Sequence, residues 1–361
     1  MAAYTAIDDP SAHFKVQLYT GNGSDNHAIT FDDTDTDMAP NLVWIRNRDA
    51  TDHTCMFDSN RGATEYLYTN EISGGRAEID DDDTLDSFTS DGFQVDDDDR
   101  VNTNTEKYVS WNWKGGTTSG INATGADITP SAYSFNQTSG VSIIKYSGNS
   151  TSGAEVAHGL AAVPHLMIIK NIDYSSGEGW QVYHHKNTAA PETDALALHD
   201  NGATQDQASR WNDTAPGSVL FTLGNDISVN TGYTYLGLIF SEKQGFSKFG
   251  SYTGGGTKFP FIYTGFRPAY LLIKNIETSS TNWTIYDNKR PGYNVDNAYL
   301  EANSTDPDAT GGYDSDFFIG SNGFKPLSNN NHTNESDKTF IYAAFAEAPF
   351  VNSNGVPCNA R

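Results

Sequence analysis

Three short apolar runs recur along the chain, each introduced by a proline and closed by a base and an asparagine. They read Pro40-Asn-Leu-Val-Trp-Ile-Arg-Asn, Pro164-His-Leu-Met-Ile-Ile-Lys-Asn and Pro268-Ala-Tyr-Leu-Leu-Ile-Lys-Asn. Four large apolar residues in a row, bounded by turn formers, predict a strand buried on both faces. The proline stands at the start of the strand, where a missing N–H is best tolerated.

Around each run the other segments return in one order. An alternating strand with an Asn-Gly turn, Phe14-Lys-Val-Gln-Leu-Tyr-Thr-Gly-Asn-Gly, opens the series. It comes back as Val141-Ser-Ile-Ile-Lys-Tyr-Ser-Gly-Asn and as Lys248-Phe-Gly-Ser-Tyr-Thr-Gly-Gly. With Tyr19, Tyr146 and Tyr252 in register, Cys55-Met-Phe-Asp matches Trp180-Gln-Val-Tyr and Trp283-Thr-Ile-Tyr-Asp. Next, Tyr66-Leu-Tyr-Thr-Asn matches Leu196-Ala-Leu-His-Asp and Tyr299-Leu-Glu-Ala-Asn. A Phe-containing strand with a glycine turn follows, and then a strong closing strand: Tyr108-Val-Ser-Trp-Asn-Trp, Tyr235-Leu-Gly-Leu-Ile-Phe and Phe340-Ile-Tyr-Ala-Ala-Phe. Alternation places Val109, Trp111 and Trp113 on one face, matching Leu236, Leu238 and Phe240, and marks the two tryptophans as core.

A period of roughly 105 to 125 residues suits whole β-sandwich domains better than solenoid coils or propeller blades. No segment carries a helical period over three or four turns. The expected fold is all-β: three tandem β-sandwich repeats of about six or seven strands each, with short polar termini. The boundaries are a lead at 1–13 that could dock the chain to a larger particle, repeat one at 14–116, repeat two at 140–247, repeat three at 248–350, and a polar tail at 351–361. Residues 117–139, rich in Gly, Ser and Thr, read as a flexible or surface-lying linker. Repeats two and three are expected to pack together, with the first more loosely attached.

Composition narrows the function. The 361 residues include Asp+Glu 46 against Lys+Arg 22, a formal net charge of -24. Such a surface repels nucleic acid and anionic lipid. Hydrophobic residues are 37% and mean hydropathy is -0.55, and no apolar stretch approaches the length of a membrane span. Two cysteines, Cys55 and Cys358, make no disulfide framework and fit assembly in a reducing cytosol. The N-terminus lacks the basic and apolar regions of a secretory signal.

Candidate chemistry is sparse. The alternating Asp33, Asp35 and Asp37 could give three oxygens to calcium, though without the glycine and closing glutamate of a helix–loop–helix calcium site. The acidic runs at 80–83 and 96–99 belong to one repeat only, where solvation explains them. No zinc-ligand spacing, nucleophile elbow, phosphate-cradling loop or dinucleotide fingerprint occurs. Paired carboxylates of a glycoside hydrolase remain open, because the fold alone would bring them together. Three aromatics, Tyr174, Trp211 and Tyr293, lie in polar loop-like surroundings and could stack a sugar ring; each could equally staple its own loop.

Further motifs carry a resemblance. They are Ile7-Asp-Asp-Pro-Ser-Ala, Phe57-Asp-Ser-Asn-Arg-Gly-Ala, Trp211-Asn-Asp-Thr-Ala-Pro, Tyr263-Thr-Gly-Phe-Arg-Pro and Ala344-Phe-Ala-Glu-Ala-Pro-Phe. With the repeated strands, they make nearly the whole chain resemble tandem-repeat, β-rich, tail-fibre-like virion proteins of marine tailed bacteriophages. The resemblance supplies no catalytic motif. It implies a virion surface or tail-fibre-like role. With a turn-rich, aromatic-bearing β surface and no catalytic signature, the expectation is a non-enzymatic tail-fibre or receptor-binding component, assembled in the host cytoplasm, whose outer loops contact a host cell-surface glycan. Its implied partners are other virion proteins and further copies of itself, a trimer in the manner of fibres, although sustained heptads are absent. Capsid decoration, a tail-joint role and polysaccharide degradation are the alternative expectations.

Overall fold

The computed structural model describes residues 5–31, 36–71, 77–174, 178–290, 294–295, 298–310 and 316–358. The chain is all-β, with 43% strand and 4% helix. Repeat one supplies β1 (Phe14–Thr20), β2 (His27–Thr30), β3 (Leu42–Asn47), β4 (Cys55–Asp58) and β5 (Gly62–Tyr68). It continues with β6 (Ile79–Asp80), β7 (Leu85–Thr89), β8 (Gly92–Val95) and β9 (Lys107–Trp113). Repeat two supplies β10 (Ala132–Asn136), β11 (Val141–Ser147), β12 (Ala154–Ala157), β13 (Leu166–Asn171) and β14 (Gln181–His184). Its remaining strands are β15 (Asp194–Ala197), β16 (Gln205–Asp206), β17 (Leu220–Leu223) and β18 (Thr234–Phe240). Repeat three supplies β19 (Ser247–Thr253), β20 (Ile262–Tyr263), β21 (Phe266–Asn275), β22 (Thr284–Asp287) and β23 (Ala298–Glu301). It ends with β24 (Ala309–Thr310), β25 (Phe317–Gly320), β26 (Gly323–Pro326) and β27 (Thr339–Pro349). Among the described residues each repeat therefore holds nine strands, more than the six or seven its hydrophobic pattern predicts, in part because strands of two residues leave no period to read.

Every repeat has the same six strands in its main antiparallel sheet, β1-β9-β3-β4-β5-β6, β11-β18-β13-β14-β15-β16 and β19-β27-β21-β22-β23-β24, and in the second β10 adds a seventh beside β11. A small second sheet completes each sandwich: β2-β8-β7, β12-β17 and β20-β26-β25. The proline-led runs are β3, β13 and β21, each paired on both sides. Their alternation sends Leu42 and Trp44 into one core and Val43 and Ile45 into another. Leu166 and Ile168 part from Met167 and Ile169 in the same way.

The inward cores are one core. Inner-face residues of all three sheets, among them Trp44, Trp111, Ile168, Leu238, Leu272 and Phe345, form a single buried cluster. On its axis the last apolar residues of the closing strands meet in a triangle, with centroid distances of 6.4 Å for Trp113–Phe240, 5.8 Å for Phe240–Phe345 and 5.6 Å for Trp113–Phe345. The first repeat is thus no looser than the others. Trp111 and Trp113 are core, as their alternation predicts.

The far edge of each sheet closes on another repeat. Glu78 N–H donates to Ile172 O, Thr204 N–H to Ile276 O and Asp308 N–H to Arg48 O, each at 2.9 Å. Each acceptor follows the asparagine of a proline-led run. That asparagine, Asn47, Asn171 or Asn275, is fully buried and accepts the N–H groups two and three residues on, which turns the chain out of the core. The preceding base is buried as well. Arg46 reaches Thr54 Oγ1 and the carbonyl of Asp306 in repeat three, and burial brings it down to about 10. Burial likewise pushes Lys170 and Lys274 down to about 8.

Residues 117–139 are a correction to the expected linker. They carry β10, which pairs antiparallel with β11 over Ala132↔Lys145 to Asn136↔Val141, and a bridge from Ile128 to Val156 of β12. Glycine and serine set the turns, while Tyr133 packs on the core of the second sandwich with Phe135 beside it.

Candidate functional site

A polar recess of about 230 Å³ opens at the far edge of the second repeat's main sheet. Its floor is the small-residue strand Ala195-Leu-Ala197. Its walls are Glu178, Gln181, His199, Asp200, Gln205, Gln207 and Arg210. Alternation along β15 explains the floor: Leu196 turns into the shared core, and the flanking alanines leave room above the sheet.

The short helix Ala208–Trp211 positions the far wall. Trp211 Nε1 donates to Asp194 O at 3.0 Å, and its ring lies edge-on to Tyr183, 5.9 Å between centroids. Arg210 crosses the recess, donating from Nε to Gln181 Oε1 at 3.0 Å, and pairs with Asp226. Gln207 Nε2 lies 3.4 Å from Gln205 Oε1, which places two amides side by side at the rim.

His199 and Glu178 form the opposite wall. Gly179 is required here, since a Cβ would lie 1.6 Å from His199 Cε1. Burial lowers the His199 pKa and keeps the ring neutral, and its buried Nδ1 has no hydrogen-bond partner. Burial, and then the Asp226 charge, raise the Glu178 carboxyl. Asp200 accepts Gly202 N–H at 2.8 Å with Oδ1. With Arg210 neutralised by Asp226, the recess presents two carboxyl groups, three amides and a neutral imidazole. Such a wall can both donate to and accept from a row of hydroxyls.

The residues singled out in the sequence fall in different places. Trp211 is fully buried, so the loop staple and not the sugar platform is its role. It nonetheless holds Arg210 at the recess. Tyr174 is half-buried against Tyr233, 5.2 Å between centroids. Tyr293, Asp33 and Asp35 lie outside the described residues, while Asp37 is exposed. Among the described residues, the carboxylates of Asp81, Asp82 and Asp83 approach within 4.8 Å of one another. That turn is engaged internally, with Asp81 Oδ1 accepting Asp83 N–H and Asp81 3.6 Å from Arg100. The Gln205-x-Gln207 pair beside the tryptophan was the available signal for the recess. No periodicity marks such residues.

Among the described residues no helix is long and apolar enough to cross a membrane. No curated protein and no solved structure matches the chain. A family model described as "Domain of unknown function (DUF7483)" matches residues 9–349, a span that takes in all three repeats. The chain therefore belongs to the DUF7483 family.

Proposed function

We propose that this protein is a non-enzymatic binding component of a bacteriophage particle surface, and that the second-repeat recess holds one unit of a host cell-surface glycan. The particle setting rests on the sequence resemblance. The glycan rests on one observation, the ring of hydrogen-bonding side chains around a floor of small residues. Neutral or amino sugars suit it best, because Glu178 and Asp200 repel carboxylated or sulfated ones. A glycan array and a host-adsorption assay with the purified protein test the reading. Gln205→Ala combined with Gln207→Ala, both near the rim, should abolish sugar binding and adsorption at unchanged Tm. Retained binding would sink the assignment to this recess.

Polysaccharide hydrolysis is a second reading, favoured by two carboxyl groups lining one recess. A Glu178 carboxyl raised by burial has the character of a general acid, and Asp200 would serve as base or nucleophile. Release of reducing ends from a bound glycan, lost in both Glu178→Gln and Asp200→Asn, would make this reading the correct one.

A further inference from the structure

The opening strands β1, β11 and β19 each turn an outer edge towards a neighbouring repeat, and among the described residues a further strand pairs with that edge in β11 alone. Between repeats one and two, the chain's own 126–136 segment covers the outer edge of β11 and the flank of β12. Ile128 N–H donates to Glu155 O at 3.0 Å, and Ala132–Asn136 then runs antiparallel along β11. In repeat three the counterparts are β19 and β20. Only six residues join β18 to β19, Ser241-Glu-Lys-Gln-Gly-Phe, and they form a tight turn closed by the Lys243↔Ser247 bridge. They provide no covering strand.

A groove of about 570 Å³ lies along that bare edge. Phe261 is 50% and Tyr263 is 56% exposed, beside the exposed edge residues Ser251 and Thr253. Repeat two gives the opposite bank: His165, His185, Lys186 and Glu242. His185 Nε2 meets Phe249 O at 2.6 Å. The comparable contact of Asn60 Nδ2 on Ile143 O, at 2.8 Å, coexists with β10 in the covered seam, so it leaves room for a strand. Lys248 sits over the Tyr263 ring, 5.4 Å from its centroid, and with Lys186 makes the groove cationic within a chain of net charge -24. Bare strand edges of this kind are where extended chains add.

We propose that the β19 edge takes an extended segment of another protein, added antiparallel as an extra strand. The segment would be about ten residues long, bearing aromatics at alternate positions over Phe261 and Tyr263 and an acidic side chain towards Lys186 and Lys248. The chain's own Ala126-Asp-Ile-Thr-Pro-Ser-Ala-Tyr-Ser-Phe-Asn supplies this pattern, with Asp127 as the acid and Tyr133 and Phe135 as the aromatics. A second copy cannot lend that segment without uncovering its own β11.

A fluorescent peptide of that sequence, titrated into the full chain, is the direct probe. Saturable binding is expected, with slowed amide exchange at Ser251 and Thr253. Ser251→Pro, which removes an edge donor, should weaken binding at least tenfold. The surface double variant Phe261→Ser with Tyr263→Ser should do the same without loss of folding, and so serves if the proline variant misfolds. Gln205→Ala with Gln207→Ala, at the recess, should leave peptide binding unchanged. No saturable binding by folded protein overturns the proposal, as does binding indifferent to both groove variants. Exchange slowed by a neutral oligosaccharide and not by the peptide would overturn it in favour of sugar. A dimer at raised concentration, abolished by the double variant, would overturn it in favour of a second copy.

Discussion

At the scale of single residues, the three repeats solve one problem in two ways. At the turn after the fourth strand of each main sheet, repeats one and three bury an aspartate with an arginine, Asp58 with Arg61 and Asp287 with Arg290. The arginine also reaches an acid at the sheet's far edge, Glu78 at 3.2 Å or Asp308 at 2.6 Å. Repeat two replaces this network with neutral groups: His184, then Asn187, whose Oδ1 accepts from Thr204 Oγ1 at 2.6 Å. His184 must stay uncharged, because Nδ1 accepts Lys186 N–H while Nε2 donates to Tyr342 O at 3.1 Å. Burial pushes it down to about 3, and it brings His158 and His165 down to about 4. These rings take up protons less readily folded than unfolded, so their contribution is complete above about pH 6.5 and is lost as pH falls from there towards 3. Urea midpoints should therefore drop between pH 6.5 and 4. His184→Gln, which keeps a donor and an acceptor, should flatten that slope. An unchanged slope would mean that carboxylates alone carry the acid sensitivity.

At the scale of elements, the sequence was most legible where burial imposed a period. The proline-led strand, the closing strand and the tyrosine of the opening strand were all visible. The tyrosine returns in the structure as a stacked pair in each repeat: Tyr19 on Tyr108, Tyr146 on Tyr235 and Tyr252 on Phe340, 5.0 to 5.2 Å apart. Strand β10 was not legible, because its flanks of Gly, Ser and Thr look like linker and its pairing depends on an edge that only the fold creates. The recess was hidden for a related reason. Its donors come from four separate segments, and Trp211 drew attention from a surface it only supports. Trp113 touches Phe240 and Phe345 of the other two closing strands, which makes it the sharpest test of the shared core. Trp113→Ala should destabilise the whole chain by about 3–5 kcal/mol, the usual range for truncating a buried aromatic. If the repeats were independent, the loss would be confined to repeat one, and hydrogen exchange in β13 and β21 would be unaffected.

At the scale of the molecule, three sandwiches in one chain do the work that a trimer of single sandwiches would otherwise do. Each main sheet hides its outer face under its own small sheet, but its inner face is hidden only by the other two repeats. Taken alone, repeat two would expose Val141, Ile143, Leu166, Ile168, Leu236, Leu238 and Phe240, all now buried. The ring of Glu78–Ile172, Thr204–Ile276 and Asp308–Arg48 bonds closes within the chain, so all three sheets reach their neighbours without a second copy. Chains of this length ordinarily unfold domain by domain, but that holds where each domain owns its core. Here none does. Urea unfolding should therefore give a single transition, with coincident midpoints by tryptophan fluorescence and by far-ultraviolet circular dichroism. Sedimentation at micromolar concentration should give one species near 39.3 kDa. Separate transitions would mean that the repeats are stable apart, and a threefold larger species would mean that the closed ring is not enough. The expected outcome of both measurements is one cooperative unit, in which the bare β19 edge is the seam left for a partner.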